Sequence, residues 1–193
     1  MDADRFKCYI AGGTPVGGTR EYVGCDDTTP PVADRAIELP RQLYFAGESK
    51  VWTGGIAFIG HEASDEPTKA RAYLITAQQF AQVAAQESHQ ETFPSLDLGR
   101  IRKSGRYTIN SGNYGELLYF DELEGYRMVS FTSTVERRPY TKPSPAYLKM
   151  IAAGLRKAHD LSAEEAASYL AAKPGIQGNY SVEALEAISQ PSA

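Results

Sequence analysis

The stretch Thr76–Glu87, TAQQFAQVAAQE, constrains this chain more than any other, because the helix it encodes carries a carboxylate on its apolar face. Thr76 with Gln79 three residues later has the form of a capping box, which satisfies orphan backbone amides and starts a helix. Phe80, Val83, Ala84 and Glu87 then recur at i, i+3, i+4 and i+7 and share one side of that helix. Such a face belongs in a core, and an ionised glutamate held there is costly unless it is paired or its pKa rises. A raised pKa is what a general acid/base near neutral pH requires. Two readings stand on the stripe alone. Glu87 is either that acid/base or a helix-end carboxylate, near the surface or paired with an arginine. Arg71, on the strand leading into the helix, is the candidate partner, and such pairing would hold Glu87 ionised.

The remaining composition narrows the class. A chain of 193 residues is expected to form one domain, 1–193, with a real core. A hydrophobic content of 42% with 23% charged residues is ordinary for a soluble globular protein. The net charge of −4 argues against nucleic acid or an anionic membrane as partner. Cys8 and Cys25 form no CxxC pair and fit buried apolar positions, in keeping with a reducing cytosol. With no apolar run near the ~20 residues of a spanning helix, and no signal peptide at the start, the expected location is cytoplasmic.

Along the chain, MDADRFKCYIAGG suggests one helical turn before a Gly/Pro loop, AGGTPVGGTR, which matches neither a P-loop nor a dinucleotide-binding fingerprint. A turn-rich segment, GCDDTTPPVADR, leads into expected strands at Gln42–Gly47, Lys50–Ile59 and Ala70–Ile75. Gly54-Gly55 inside the second suggests either a bulge or a close backbone approach by a ligand. The polar stretch from Ser88 to Asn113 reads as partly irregular or as a lid. Gly115–Asp121 and Tyr126–Ser133 form a hairpin across Glu122–Gly125. The last third is helical, with Ser144 and Pro145 opening one helix, Ser162 and Glu165 a second, and Ser181 a third. About five strands, one helix among them and two or three at the end give an α+β fold, a small mixed or curled sheet or barrel with helices packed around it.

Known hydrolytic constellations find little support. His61, His89 and His159 match no metal-ligand spacing, no GxSxG elbow is present, and neither cysteine has a recognised catalytic context. What remains is a helix-borne carboxylate near a Gly-Gly strand and several tyrosines, which suits proton transfer on a small polar substrate.

Three separated motifs, in order from about Tyr44 to Leu170, resemble the gamma-glutamylcyclotransferase-like family. Ser49-Lys50-Val51-Trp52-Thr53-Gly54-Gly55-Ile56-Ala57 is similar to that family's S…WxGGxA strand. Val83-Ala84-Ala85-Gln86-Glu87 matches its helix ending in glutamate, although the Leu-Asp of LDxxE is absent. Pro143-Ser144-Pro145-Ala146-Tyr147, with Gly154 and Leu161 beyond it, looks like the PSxxY helix. Members of the family begin with a strand and a Tyr-Gly-Ser-Asn-Leu/Met loop that holds the substrate carboxylate. Here Met1 matches only the last residue of that loop, which implies either a start site placed too late or a chain lacking its first strand.

The resemblance implies a lyase or acyltransferase reaction on a small-molecule gamma-glutamyl substrate. Intramolecular cyclisation would release 5-oxoproline and an amine, with Glu87 as general acid/base and no metal or other cofactor. Gly54, Gly55, Tyr147, Tyr114 and Met1 are the implied substrate contacts. For Tyr147 a core aromatic with a polar tip is the competing reading, and Trp52 reads as core. A non-catalytic binding module on the same fold, or an amide hydrolase using the same carboxylate, are the alternatives. The leaving group and the oligomeric state have no signature in the chain.

Overall fold

In chain order the elements are α1 (Ala3–Ala11), β1 (Ala33–Ala46), β2 (Ile56–Leu74), α2 (Ala77–Glu87), α3 (Leu98–Ser104), β3 (Arg106–Thr108), β4 (Glu116–Leu123), β5 (Tyr126–Thr132), α4 (Pro145–His159), α5 (Ala163–Ala171) and α6 (Val182–Ser189). The computed structural model describes residues 2–15, 20–49, 51–88, 90, 96–136 and 138–191. The fold is α+β, with one two-stranded sheet of β1 and β2 and one three-stranded sheet ordered β3-β4-β5. Val32, just ahead of β1, donates its amide to Leu74 at the end of β2, as an antiparallel pair requires.

Several elements start where local chemistry dictates. Thr76 and Gln79 form the expected capping box at α2, and Ser162 and Glu165 form another at α5. Ser144 caps α4, whose first turn accepts Pro145 because that position has no intrahelical amide bond to lose. The β4–β5 hairpin turns at Glu124 and Gly125, both with positive φ (53° and 83°), a backbone twist that matches the flanking strands.

Other elements depart from the sequence reading. The segment expected to give one helical turn is a nine-residue helix, α1, which buries Cys8, Tyr9 and Ile10. The strand expected from Lys50 begins only at Ile56, since residues 51 and 52 form a turn and Lys50 lies outside the described residues. From Ile56 the strand runs unbroken to Leu74, so two expected strands are one. Its polar middle is held by cross-strand bonds, including the Thr68 hydroxyl to the Arg41 carbonyl at 2.6 Å and Lys69 Nζ to Glu38 at 2.9 Å. β1 likewise starts at Ala33, inside a stretch read as turn-rich. The segment from Ser88 to Asn113 contains α3, capped by Asp97 and ended by Gly105 at φ 76°, followed by the short β3.

The chain divides into two compact units. The first comprises Met1–Ala3, Ala36–Arg71 and Arg137–Ala193. Its core packs Leu43 and Phe45 of β1 with Tyr147, Leu148, Ala152 and Leu155 of α4, Leu170 of α5 and Leu185 of α6. The second comprises Asp4–Arg35 and Ala72–Glu136. Its core gathers Cys8, Tyr9 and Ile10 of α1, Tyr22, Cys25 and Val83 of α2, with Phe131 of β5 against them. Gln79 ties the start of α2 to the preceding loop, its side-chain amide donating to the carbonyls of Asp27 and Thr29 at 2.9 Å each.

Candidate active site

Glu87 is the last residue of α2, one turn beyond the buried Val83 and Ala84. The residue as a whole is partly buried, but its carboxyl end lies deep enough that desolvation pushes its pKa above the usual carboxylate range, against the pull of the Arg5 guanidinium. The hydroxyl of Tyr9 donates a hydrogen bond to Glu87 Oε1. Behind it the Tyr9 and Tyr22 hydroxyls stand 3.2 Å apart, and Arg5 Nη2 reaches them at 3.4 and 3.3 Å. The two phenol rings pack at 4.3 Å between centroids, and the Arg20 guanidinium lies 4.8 Å over Tyr22. Gln86 fixes the helix end to α1 by donating to the Tyr9 carbonyl at 3.0 Å, and Arg20 donates to the Gln86 carbonyl at 2.9 Å. The second unit thus sets one carboxyl of raised proton affinity against a phenol donor, with a guanidinium behind it. That arrangement can hold a proton and release it at a fixed position.

Arg5, Tyr9, Tyr22 and Arg20 are absent from the residues chosen on sequence grounds. The available signal was the i, i+4 spacing of Arg5 and Tyr9, which becomes one helical face only when α1 is recognised at full length. The arginine whose charge bears on Glu87 is Arg5; Arg71 ends a strand segment of the first unit.

The other candidates distribute between the units. Tyr114, in the second, sits half-buried in the turn ahead of β4. Gly54, Gly55 and Tyr147 are in the first, and two of the sequence motifs meet there. Gly54 forms a bridge with Pro143, and the Gly55 amide donates to the Lys142 carbonyl at 2.9 Å. A Cβ on Gly54, which has φ of 70°, would stand 2.3 Å from the Lys142 carbonyl oxygen, and one on Gly55 2.1 Å from that of Thr141. The close backbone approach that the two glycines permit is therefore made by the chain itself. The Tyr147 hydroxyl accepts from the Ala57 amide at 3.4 Å, while its ring stacks on Trp52 with centroids 5.8 Å apart. Met1 and His89 lie outside the described residues.

His159 places Nε2 2.9 Å from the Ala70 carbonyl oxygen, and His61 lies on β2. Cys8 and Cys25 are buried free thiols. Burial, with Asp26 and Asp27 adding to it, pushes Cys25 up to about 11. Among the described residues no helix is long and apolar enough to cross a membrane.

No family model and no curated protein matches the chain. Among solved structures, an uncharacterized protein from Homo sapiens is similar, 19% identical with a TM-score of 0.44, covering 82% of this chain and 86% of that one. A gamma-glutamyl cyclotransferase is similar at 20% identity and a TM-score of 0.39, covering 82% of this chain and 87% of that one.

Proposed function

We propose that the protein cleaves a gamma-glutamyl amide by intramolecular cyclisation, giving 5-oxoproline and a free amine or amino acid. The substrate's α-ammonium gives a proton to Glu87, and the freed amine attacks the γ-carbonyl of the same molecule. The ring C–N bond forms and the original amide C–N bond breaks as Glu87 returns the proton to the leaving nitrogen. The ring nitrogen gives up its second proton on becoming the lactam amide, and that proton departs with the released amine as its ammonium. A carboxyl must be poised between its two forms to serve both halves of this cycle. Folding the substrate so that amine and carbonyl meet supplies much of the remaining acceleration. The observation that carries the reading is the carboxyl of Glu87, pushed up by burial at the end of α2 and met by the Tyr9 hydroxyl. The in-order motifs from Ser49 to Tyr147 add to it.

The test is product identification on a panel of gamma-glutamyl amino acids and amines. It uses the 193-residue chain and a form extended through the in-frame upstream codons. Release of 5-oxoproline by either form is the expected result. Release of free glutamate instead would make the protein an amide hydrolase. Binding without turnover across the panel would replace the enzyme by a binding module.

A further inference from the structure

We infer that Tyr9 is the positioning residue for Glu87, with Tyr22 and Arg5 completing a hydrogen-bonded line behind it. The catalytic meaning of this line rests on the cyclisation reading above; the line itself does not. Donors and acceptors assign its direction. Arg5 can only donate, so both phenol oxygens accept from it. Glu87, when ionised, can only accept, so the Tyr9 O–H points at Oε1. The Tyr22 O–H is then the group left to donate to the Tyr9 oxygen, 3.2 Å away. Every proton in the line points toward the carboxylate, and donors arranged in series strengthen one another.

The surroundings make the line specific. Tyr9 and Tyr22 are 5% and 6% exposed, so their hydroxyls depend on protein partners. From α1 the titratable groups on this side are Arg5, Cys8 and Tyr9; from the 20–25 segment they are Arg20, Tyr22 and Cys25. α2 holds no titratable side chain besides Glu87, and β5 contributes the neutral Phe131 to the core. Arg20 is engaged with the Gln86 carbonyl and the Tyr22 ring, and Arg5 is the cation whose hydrogen bonds join the line. The N-terminal ammonium also favours the ionised Glu87. Two consequences follow. The line opposes the effect of burial on Glu87 and keeps ionisation within reach. By holding Oε1 it also leaves Oε2 as the oxygen that exchanges a proton with the substrate nitrogen.

The experiment is a carbon-13 NMR titration of the Glu87 side-chain carboxyl in the wild-type chain, Tyr9→Phe, Tyr22→Phe and Arg5→Gln, each checked for native fold by circular dichroism. Tyr9→Phe removes the direct donor, so Glu87 is expected to titrate about one pH unit higher than in the wild type. Tyr22→Phe and Arg5→Gln should move it in the same direction, by less for Tyr22→Phe. A folded Tyr9→Phe whose Glu87 titrates at the wild-type pH, or lower, overturns the inference. Should Tyr9→Phe not fold, the other two variants decide: an upward shift in both supports the line, and none in either overturns it. The titration needs no turnover, so absence of 5-oxoproline from every form would sink the cyclisation reading and leave this result standing. Where turnover is measurable, the acidic limb of the rate profile should move upward in Tyr9→Phe along with the NMR value.

Discussion

The core of the first unit is tightly joined through its backbone, whereas the second unit sets two phenols and a carboxyl in hydrogen bonds with one another inside it, beside two buried thiols. In the first, Phe45 is fully buried and its backbone is held on both sides, its amide by the Pro174 carbonyl and its carbonyl by the Thr141 amide. The glycine pair at 54 and 55 lets Thr141 and Lys142 lie against the strand with no room for a methyl group. In the second, Tyr9, Tyr22 and Glu87 spend hydrogen bonds on one another where leucine or valine would pack without such demands. Buried polar groups of this kind cost stability unless they satisfy one another, and in the second unit they do so around Glu87. The contrast separates two kinds of motif: WTGGIA, whose glycines admit a close backbone approach, and VAAQE, whose glutamate is buried against a phenol donor.

Substitutions in the two units should therefore differ in sign as well as size. The largest effect is expected from Gly55→Ala, because a backbone carbonyl at 2.1 Å cannot step aside cheaply. A loss of about 3 kcal/mol in urea unfolding is predicted, and a loss under about 1 kcal/mol would break the packing account of the glycine pair. Next comes Gln79→Ala, which removes the reciprocal cap of α2 and the donors to the Asp27 and Thr29 carbonyls. About 2 kcal/mol should be lost by the same measurement.

Glu87→Gln should act in the opposite direction. A carboxyl whose folded pKa lies above its ordinary 4.5 binds its proton more tightly when folded. Its contribution is therefore full below pH 4.5 and is lost as pH rises through the raised folded value. Glutamine removes this dependence while its carbonyl oxygen still accepts from Tyr9. The variant should be at least as stable as the wild type at neutral pH, with a flatter pH–stability curve across that window. A wild-type curve that rises over the same window would contradict the burial of the carboxyl. The smallest effect is expected from Arg35→Ala, whose pair with Glu124 at 3.0 Å is more than half exposed on both sides. Unfolding should change by less than about 0.5 kcal/mol.

The elements that could be read from the sequence are those specified by neighbours in the chain. Capping boxes at Thr76 and Ser162, the Ser144-Pro145 helix start and the Glu124-Gly125 turn are local chemistry, and each stands where it is expected. The first half of β1 interrupts Ile37 and Leu39 with charges and a proline, and the middle of β2 is charged or polar on both faces, so neither carries a sustained strand pattern. Their order comes from each other, through pairs such as Glu38 with Lys69. Of the candidate site, Glu87 stood out because a helical period counts it onto an apolar face. Tyr9 is 78 residues away in the chain, and Tyr22 and Arg5 join Glu87 only once α1 and α2 are packed. Periodicity within one helix carries no information about a partner on another.

The measurement that bears most directly on Glu87 is 5-oxoproline release under saturating substrate, comparing wild type with Glu87→Gln in whichever form turns over. Removing a general acid/base while keeping its shape should lower the rate by about 10²–10⁴-fold, with native circular dichroism and little change in KM. A folded Glu87→Gln that releases 5-oxoproline within a few-fold of the wild-type rate would show that Glu87 does not move the proton.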